Sequence, residues 1–342
     1  MNGTLTIGID AAKRIFFLHG EDARGKVILR EKLSRERLLP FLANQAISTI
    51  AIEAGCGAHH WARAFSKLGH EVRVIHPKFV RPFVKTNKND WNDAAAICEA
   101  AQRPTMRFVA VKSLEQQDLL SLHRVRERLV GQRTGLCNQI RGLLAEYGIV
   151  LPQAISKLRR ALPEVLEDAE NELTVRGREL VASLSDELRS LEERIKPYER
   201  AIEQASIDSW TCRRLRSIPG IGPIGATAVA ATMGDPKAFK NGRHFAAFLG
   251  LVPRQHSSGG KSQLGRISRR GDVYVRRVLI QGAHSILRRI DKREGSRNDW
   301  LRRLVDRRGK QVAAVALANK NARIAWQLLA HEAFYDEALA AA

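Results

Sequence analysis

The stretch Leu5-Thr-Ile-Gly-Ile-Asp-Ala-Ala-Lys-Arg-Ile-Phe-Phe-Leu-His-Gly20 decides how the first third of the chain is read. Two short apolar runs, Leu5–Asp10 and Ile15–Gly20, flank a polar turn, the pattern of two paired strands. Gly25–Leu33 supplies a third strand. Working outward, Ser34–Asn44 reads as helix, Ser48–Glu53 as a short buried strand, and His59–Leu68 as an amphipathic helix ending at Gly69. Glu71–Ile75 is another strand and Asp90–Gln102 another helix.

Three early strands followed by alternating helix and strand predict an α/β fold of the ribonuclease-H kind over residues 1–105. Residues 106–205 differ in kind, with almost no strand signal. Leu122, Val125, Leu129, Leu136, Ile140 and Leu143 recur at helical spacing, and Leu184, Leu188, Leu191, Ile195, Tyr198 and Ile202 step by 4-3-4-3-4, the seam of a coiled coil. Pro152 and Pro163 break the path between these arms, and Pro197 kinks the second. The seam fits a hairpin within one chain and a dimerising arm equally well. Residues 206–342 read as a second globular domain, mostly helical, with glycine-rich turns.

The chain has 342 residues, 44% of them hydrophobic, enough for two packed domains. No run of eighteen apolar residues exists, which excludes a membrane span, and the N-terminus lacks the basic-then-apolar form of a signal peptide. Cys56, Cys98, Cys137 and Cys212 show no paired spacing, so neither a zinc site nor a disulfide framework is expected, and a reducing, cytoplasmic setting is. The net charge of +21 is uneven. Residues 254–310 hold 17 basic against 5 acidic side chains, whereas residues 1–100 hold 15 against 10. Such a concentrated Arg-rich segment is the footprint of phosphate-backbone binding.

Within this basic protein four acidic residues stand in suggestive places. Asp10 and Glu53 end strands, and Asp90 and Asp93 lie at i and i+3 on one face of a helix start. Carboxylates converging from strand ends and a helix face repel unless a cation compensates, and hard oxygen donors suit Mg²⁺. A pair of such ions can stabilise both the attacking and the leaving oxygen of a phosphodiester. Taken singly, an acidic residue after a strand is often only a helix cap.

Three glycine motifs follow. Gly220-Ile-Gly222-Pro-Ile-Gly225 matches a dinucleotide fingerprint on paper, but the basic, helical stretch before it is no buried strand. Gly259-Gly-Lys-Ser262 resembles a phosphate loop, yet Gln255 stands where its first glycine belongs. Both nucleotide readings are rejected. Leu215–Gly222 with the small-residue helix after it reads instead as a helix-hairpin-helix, in which Gly220 and Gly222 let backbone N–H groups approach a phosphate; a turn that merely packs two helices is the plainer alternative. In Arg254-Gln-His-Ser-Ser-Gly-Gly-Lys-Ser-Gln-Leu-Gly-Arg266, the side chains of Arg254, Lys261 and Arg266 can hold a scissile phosphate beside a serine, with donors from Gly259 and Gly260. Arg269 and Arg270 extend this basic surface.

These motifs, taken in order, resemble the insertion sequence 110 family of transposases: Gly-Ile-Asp10, Ile-Glu53, the Lys-x-Asp90-x-x-Asp93-Ala helix, Ile-Pro-Gly-Ile-Gly222, and Phe-Ala-Ala-Phe-x-Gly-Leu-x-Pro-Arg254 followed by Ser-Gly. The likeness runs through nearly the whole chain. It implies an N-terminal RuvC-like domain, a coiled-coil dimerisation region and a C-terminal transposase domain with a catalytic serine, acting in the bacterial cytoplasm. Asp10, Glu53, Asp90 and Asp93 would hold Mg²⁺ or Mn²⁺. Ser258, immediately before the glycine, would form a phosphoserine link to DNA; the adjacent Ser257 keeps the register open. It further implies donor and target DNA and an element-encoded guide RNA as partners, a dimer or tetramer, and active-site halves that meet across subunits. A RuvC-type junction endonuclease using metal-activated water needs no serine, and a non-catalytic nucleic-acid scaffold needs no carboxylates.

Overall fold

The computed structural model describes residues 5–85, 89–258, 261–292 and 295–336. The chain divides into two compact units, Met1–Ser113 and Leu114–Ala342.

The first unit is built on a six-stranded sheet of β1 (Thr6–Ala11), β2 (Ile15–Glu21), β3 (Val27–Ser34), β4 (Thr49–Glu53), β5 (Glu71–Ile75) and β6 (Phe108–Val109), in the spatial order β3-β2-β1-β4-β5-β6. The first three strands are antiparallel neighbours; β4 runs parallel to β1, and β5 parallel to β4. Because side chains alternate across a strand, the sheet has two apolar faces. Ile7, Ile9, Ile50 and Ile52 meet α1 (Arg35–Ala43) and α2 (Ala58–Lys67) on one. Ala51 and Ile75 meet α4 (Asp90–Ala101) on the other, with the short α3 (Pro77–Val80) beside it. These elements match the sequence expectation to within a few residues, except the short α3, which sequence reading did not give, and β6. Two residues carry no periodicity, so Phe108–Val109 is invisible to pattern reading; its pairing with Val74 and Ile75 carries the unit to Ser113 rather than 105.

The second unit begins with α5 (Leu114–Ala145), α6 (Ile155–Glu167) and α7 (Val175–Asp208). Leu188, Leu191 and Ile195, the centre of the heptad seam, are buried in one cluster with Leu129, Leu136, Ile140 and Leu144 of α5. Arg126 closes the pair by an ion contact of 2.6 Å to Glu199. The centre of the seam is thus buried against α5 of its own chain, as in a helical hairpin. Pro163 and Pro197 lie inside α6 and α7 and do not end them. Then follow α8 (Trp210–Arg216), α9 (Pro223–Met233), α10 (Gly242–Phe248), a hairpin of β7 (Pro253–Ser258) and β8 (Lys261–Ile267), α11 (Val273–Leu287), α12 (Ser296–Arg308) and α13 (Lys310–Ala330). Their apolar faces share a core that includes Leu215, Phe245, Leu279 and Leu317.

One buried polar network ties three of these helices together. His123 of α5 lies 2.8 Å from the Tyr274 hydroxyl of α11 and 2.9 Å from Thr227 Oγ1 of α9. Thr227 already donates to the Pro223 carbonyl at 2.7 Å, so His123 Nε2 donates to Thr227 and Nδ1 accepts from Tyr274. Both ring nitrogens are satisfied only in the neutral form. Burial, reinforced by the positive charge of Arg126, lowers the His123 pKa to about 4. The unfolded chain binds a proton near pH 6.5 that the native chain refuses, so this contribution is complete above that pH and is lost as pH falls toward 4. Wild-type protein should therefore lose about 2 kcal/mol more stability than His123→Gln between pH 7 and pH 5, measured by denaturant unfolding. Parallel pH profiles would show that His123 is not held neutral.

Candidate functional site

Two places carry the candidate chemistry, one in each unit. In the first, the register aligns β1 with β4 from Thr6↔Thr49 to Ile9↔Ile52. Asp10 and Glu53 each stand one residue beyond the last of these pairs, on strands about 4.8 Å apart. They have the parity of Gly8 and Ala51, and so belong to the face covered by α4.

Helix α4 crosses that face against the direction of β1. Cys98 near its end donates to the Thr6 carbonyl at 3.2 Å, while Gly8 lies under Ala94 and Cys98. Continuing along β1 to Asp10 therefore leads to the first turn of α4, which contains Asp90 and Asp93. Asn89 caps that turn through the Asn92 amide at 2.8 Å. Trp91 fixes it laterally, edge-on to Phe17 at 4.9 Å with the Arg30 guanidinium 4.6 Å from its ring centre. Phe17 is the registered partner of Asp10.

Gly8 makes this approach possible. A Cβ there would sit 2.3 Å from the Ala94 carbonyl oxygen and 2.4 Å from the Cys98 nitrogen, closer than backbone atoms tolerate. Cys98 itself is chemically quiet, since burial pushes its thiol up to about 12.

All four predicted carboxylates thus come to one end of one face, and their hard oxygens suit a divalent cation in kind. They do not close into a ligand cluster: among the described residues, no group of three or more His, Cys, Asp or Glu side chains stands near enough to hold an ion. Asp90 is exposed and Asp93 half-buried, on a turn held by its own cap and by Trp91 against the strands.

In the second unit the serine loop is a β-ribbon. Its register pairs Ser257 with Ser262 and Ser258 with Lys261. Only position 258 is paired opposite a cation. The Ser257 hydroxyl accepts from Gln255 Nε2 at 2.8 Å. The side chain of Ser258, with Gly259 and Gly260, lies outside the described residues. Arg254, Lys261, Arg266, Arg269 and Arg270 are all exposed. Arg269 adopts a left-handed φ of 55°.

The root of the ribbon is interlocked. Gly250 has a φ of 71°, and a Cβ on it would lie 2.0 Å from the Arg270 carbonyl oxygen; one on Gly271 would lie 1.8 Å from that of Phe248. Buried Arg276 donates to the carbonyls of Leu249 and Arg270, each at 3.0 Å. The glycine turn before α9 divides its labour. Gly220, at a φ of 92°, packs backbone to backbone on Gly282 of α11, and Asn321 donates to the Pro219 carbonyl at 3.1 Å. That is the plainer, packing role. Gly222 is exposed at the N-terminus of α9, with open space where a Cβ would be. Both rejected nucleotide motifs stay rejected, since helix α8 rather than a strand precedes Gly220, and Lys261 opens a strand rather than a helix.

Sequence reading passed over Gly8, Trp91, Gly250, Gly271 and Arg276. Each acts only through a long-range contact, so no local pattern marks it.

In chain order, an α/β unit with acidic residues at one sheet end is followed by a mostly helical unit that carries a basic ribbon. Two family descriptions match the chain: a transposase description of the DEDD type over residues 7–149, and that of the IS116/IS110/IS902 transposases over residues 212–299. Several curated proteins are similar over almost their whole length. A probable family 20 transposase of Pseudomonas aeruginosa is 48% identical over 330 residues, covering 96% of this chain and 98% of that protein. The transposase for insertion sequence element IS1111A of Coxiella burnetii is 43% identical, covering 96% and 90%. The transposase for IS1328 of Yersinia enterocolitica is 43% identical, covering 95% and 97%. The chain belongs to the IS116/IS110/IS902 family of insertion-sequence transposases. Among the described residues, no helix is long and apolar enough to cross a membrane.

The close approach of α4 to β1 is directly testable. Gly8→Ala should cost about 1–3 kcal/mol through overpacking. Hydrogen exchange should show lost protection at both Ile7–Asp10 and Ala94–Cys98. Unchanged protection would mean that α4 does not depend on the missing Cβ.

Proposed function

We propose that this protein is an RNA-guided DNA recombinase that cuts and rejoins strands through a phosphoserine intermediate. The observation that carries the reading is the convergence of Asp10, Glu53 and the Asp90–Asp93 turn on one end of a sheet of ribonuclease-H-like, or RuvC-like, order. Four carboxylates at one end of a basic protein are costly by mutual repulsion. A bound cation, Mg²⁺ or Mn²⁺, would offset that repulsion and supply charge for a phosphodiester transition state.

The serine half rests on position 258, paired opposite Lys261 in a ribbon that also carries Arg254 and Arg266. The Ser258 hydroxyl attacks phosphorus, the bond from phosphorus to the 3′ oxygen breaks, and the serine proton passes to solvent while the leaving oxygen is protonated. A 3′ hydroxyl from another strand then attacks the phosphoserine and restores the serine. Bond energy is conserved, so no nucleotide hydrolysis is needed. Arg269, Arg270 and the exposed start of α9 at Gly222 extend the phosphate-binding surface; Gly220 shapes that turn. Guidance by an element-encoded RNA, which pairs with donor and target DNA, rests on the family resemblance. So does an oligomer in which the carboxylates of one protomer serve the serine of another.

Asp10→Ala or Asp93→Ala should abolish strand cleavage while leaving the protein folded and able to bind nucleic acid. Full excision activity in either variant would remove the four-carboxylate assignment.

Ser258→Ala should bind DNA and fail to recombine it, whereas Ser257→Ala should be milder. After incubation with substrate DNA and nuclease trimming, mass spectrometry should find a nucleotide adduct on Ser258. An adduct on Ser257 shifts the register by one. Recombination by the double variant would eliminate the serine mechanism and leave metal-activated water, the junction-endonuclease chemistry, in its place.

A further inference from the structure

Beside the ribbon of the second unit lies a groove of about 1900 Å³, walled by Leu264–Ile267 of β8, the start of α10, α11, Trp300 and Arg308 of α12, and one long face of α13. Eight of its described lining side chains are Arg or Lys, and none is Asp or Glu. Arg276 and Arg277 are committed to protein partners, the second to Glu127. Arg266, Arg269 and Arg308 belong to the basic segment evident in the sequence, whereas Arg243, Lys320 and Arg323 join them from outside it. The α13 wall runs from Gln311 to Gln327, about 24 Å of helix.

The floor is apolar in a way that soluble surfaces avoid. Leu264 is 68% exposed, Val273 62% and Val312 44%, and all three line this one groove. Trp300 also lines it, with the Lys320 ammonium 5.3 Å from its ring centre. A duplex presents phosphates outward and hides its bases, so it would satisfy the cations and leave the apolar side chains uncovered. A single strand presents phosphates along one edge and flat apolar bases along the other, which matches a groove lined by both cations and exposed apolar side chains. Strand β8, which begins at Lys261 opposite position 258, also borders the groove, so the groove adjoins the ribbon that carries the serine.

We infer that this groove binds single-stranded DNA adjoining the scissile phosphate, roughly four nucleotides of it, at the short end of single-strand sites. The assignment of DNA rather than RNA rests on the reading of the ribbon as the DNA-cutting half.

The test uses the full chain and labelled dT12, with a 12-base-pair duplex and rU12 as comparison probes. Arg308→Gln/Arg323→Gln should make the dependence of log Kd on log salt shallower by about 1.4 for dT12, at 0.7 for each lost single-strand phosphate contact. Val312→Glu, an exposed and structurally undemanding position, should weaken dT12 binding about tenfold or more at fixed salt, by placing charge on the base-binding floor. Duplex binding should change less than twofold. Unchanged dT12 binding in both variants overturns the site. Equal losses for dT12 and duplex overturn the single-strand assignment, and a loss confined to rU12 overturns the choice of DNA. Ser258→Ala should bind dT12 normally, so failure of the adduct experiment and failure of the groove are told apart.

Discussion

A missing methyl group underlies the geometry of the first unit. Helix α4 can lie against β1 only because residue 8 has no Cβ, and that contact sets the direction and depth of the helix. From it follows the placement of the first turn of α4 beside Asp10 and Glu53. Trp91 then fixes the turn sideways, and the Asn89 cap fixes its start. The first turn of α4 is thus placed by close packing on Gly8, by the Trp91 contacts and by the Asn89 cap. The four acidic residues share a sheet end without closing into a cluster among the described residues.

The second unit solves a different problem, how to hold an exposed two-stranded ribbon steady. Isolated ribbons are marginal in water, so stability must come from the root. Gly250 and Gly271 let two backbone segments interlock, and the buried Arg276 guanidinium bridges the carbonyls on either side. The long α5–α7 hairpin packs on the helices from which this root grows, and His123 joins α5 to α9 and to α11, the helix that follows the ribbon.

Much of this was legible in the sequence, for identifiable reasons. The strands and helices of the first unit have alternating or helical periodicity, and Asp10, Glu53, Asp90 and Asp93 stand at element ends, where local pattern reading is informative. The two-residue β6 has no period to read. The destination of the heptad seam was not legible either, since Leu188 and Ile195 look the same whether they face a partner chain or α5. Gly220 and Gly222 are equivalent as letters, and only tertiary packing on Gly282 separates them. The serine-bearing ribbon has no strand signal in the sequence because Ser, Gly and Gln are weak strand formers; it depends on cross-strand pairing. The groove was least visible, because Arg243 and Arg323 are far apart in sequence and meet only through the packing of α10 on α13.

The interlocked root bears on how the ribbon can move. A segment joined by a loose hinge swings as a whole, and small rotations at its base become large errors at its tip. Here the hinge is replaced by backbone in mutual contact, so the compliance lies in the twist of the ribbon itself. Angular precision at the serine is therefore inherited from residues near 250 and 271. Changes at the tip alter what is presented, while the direction in which it is presented stays with the root.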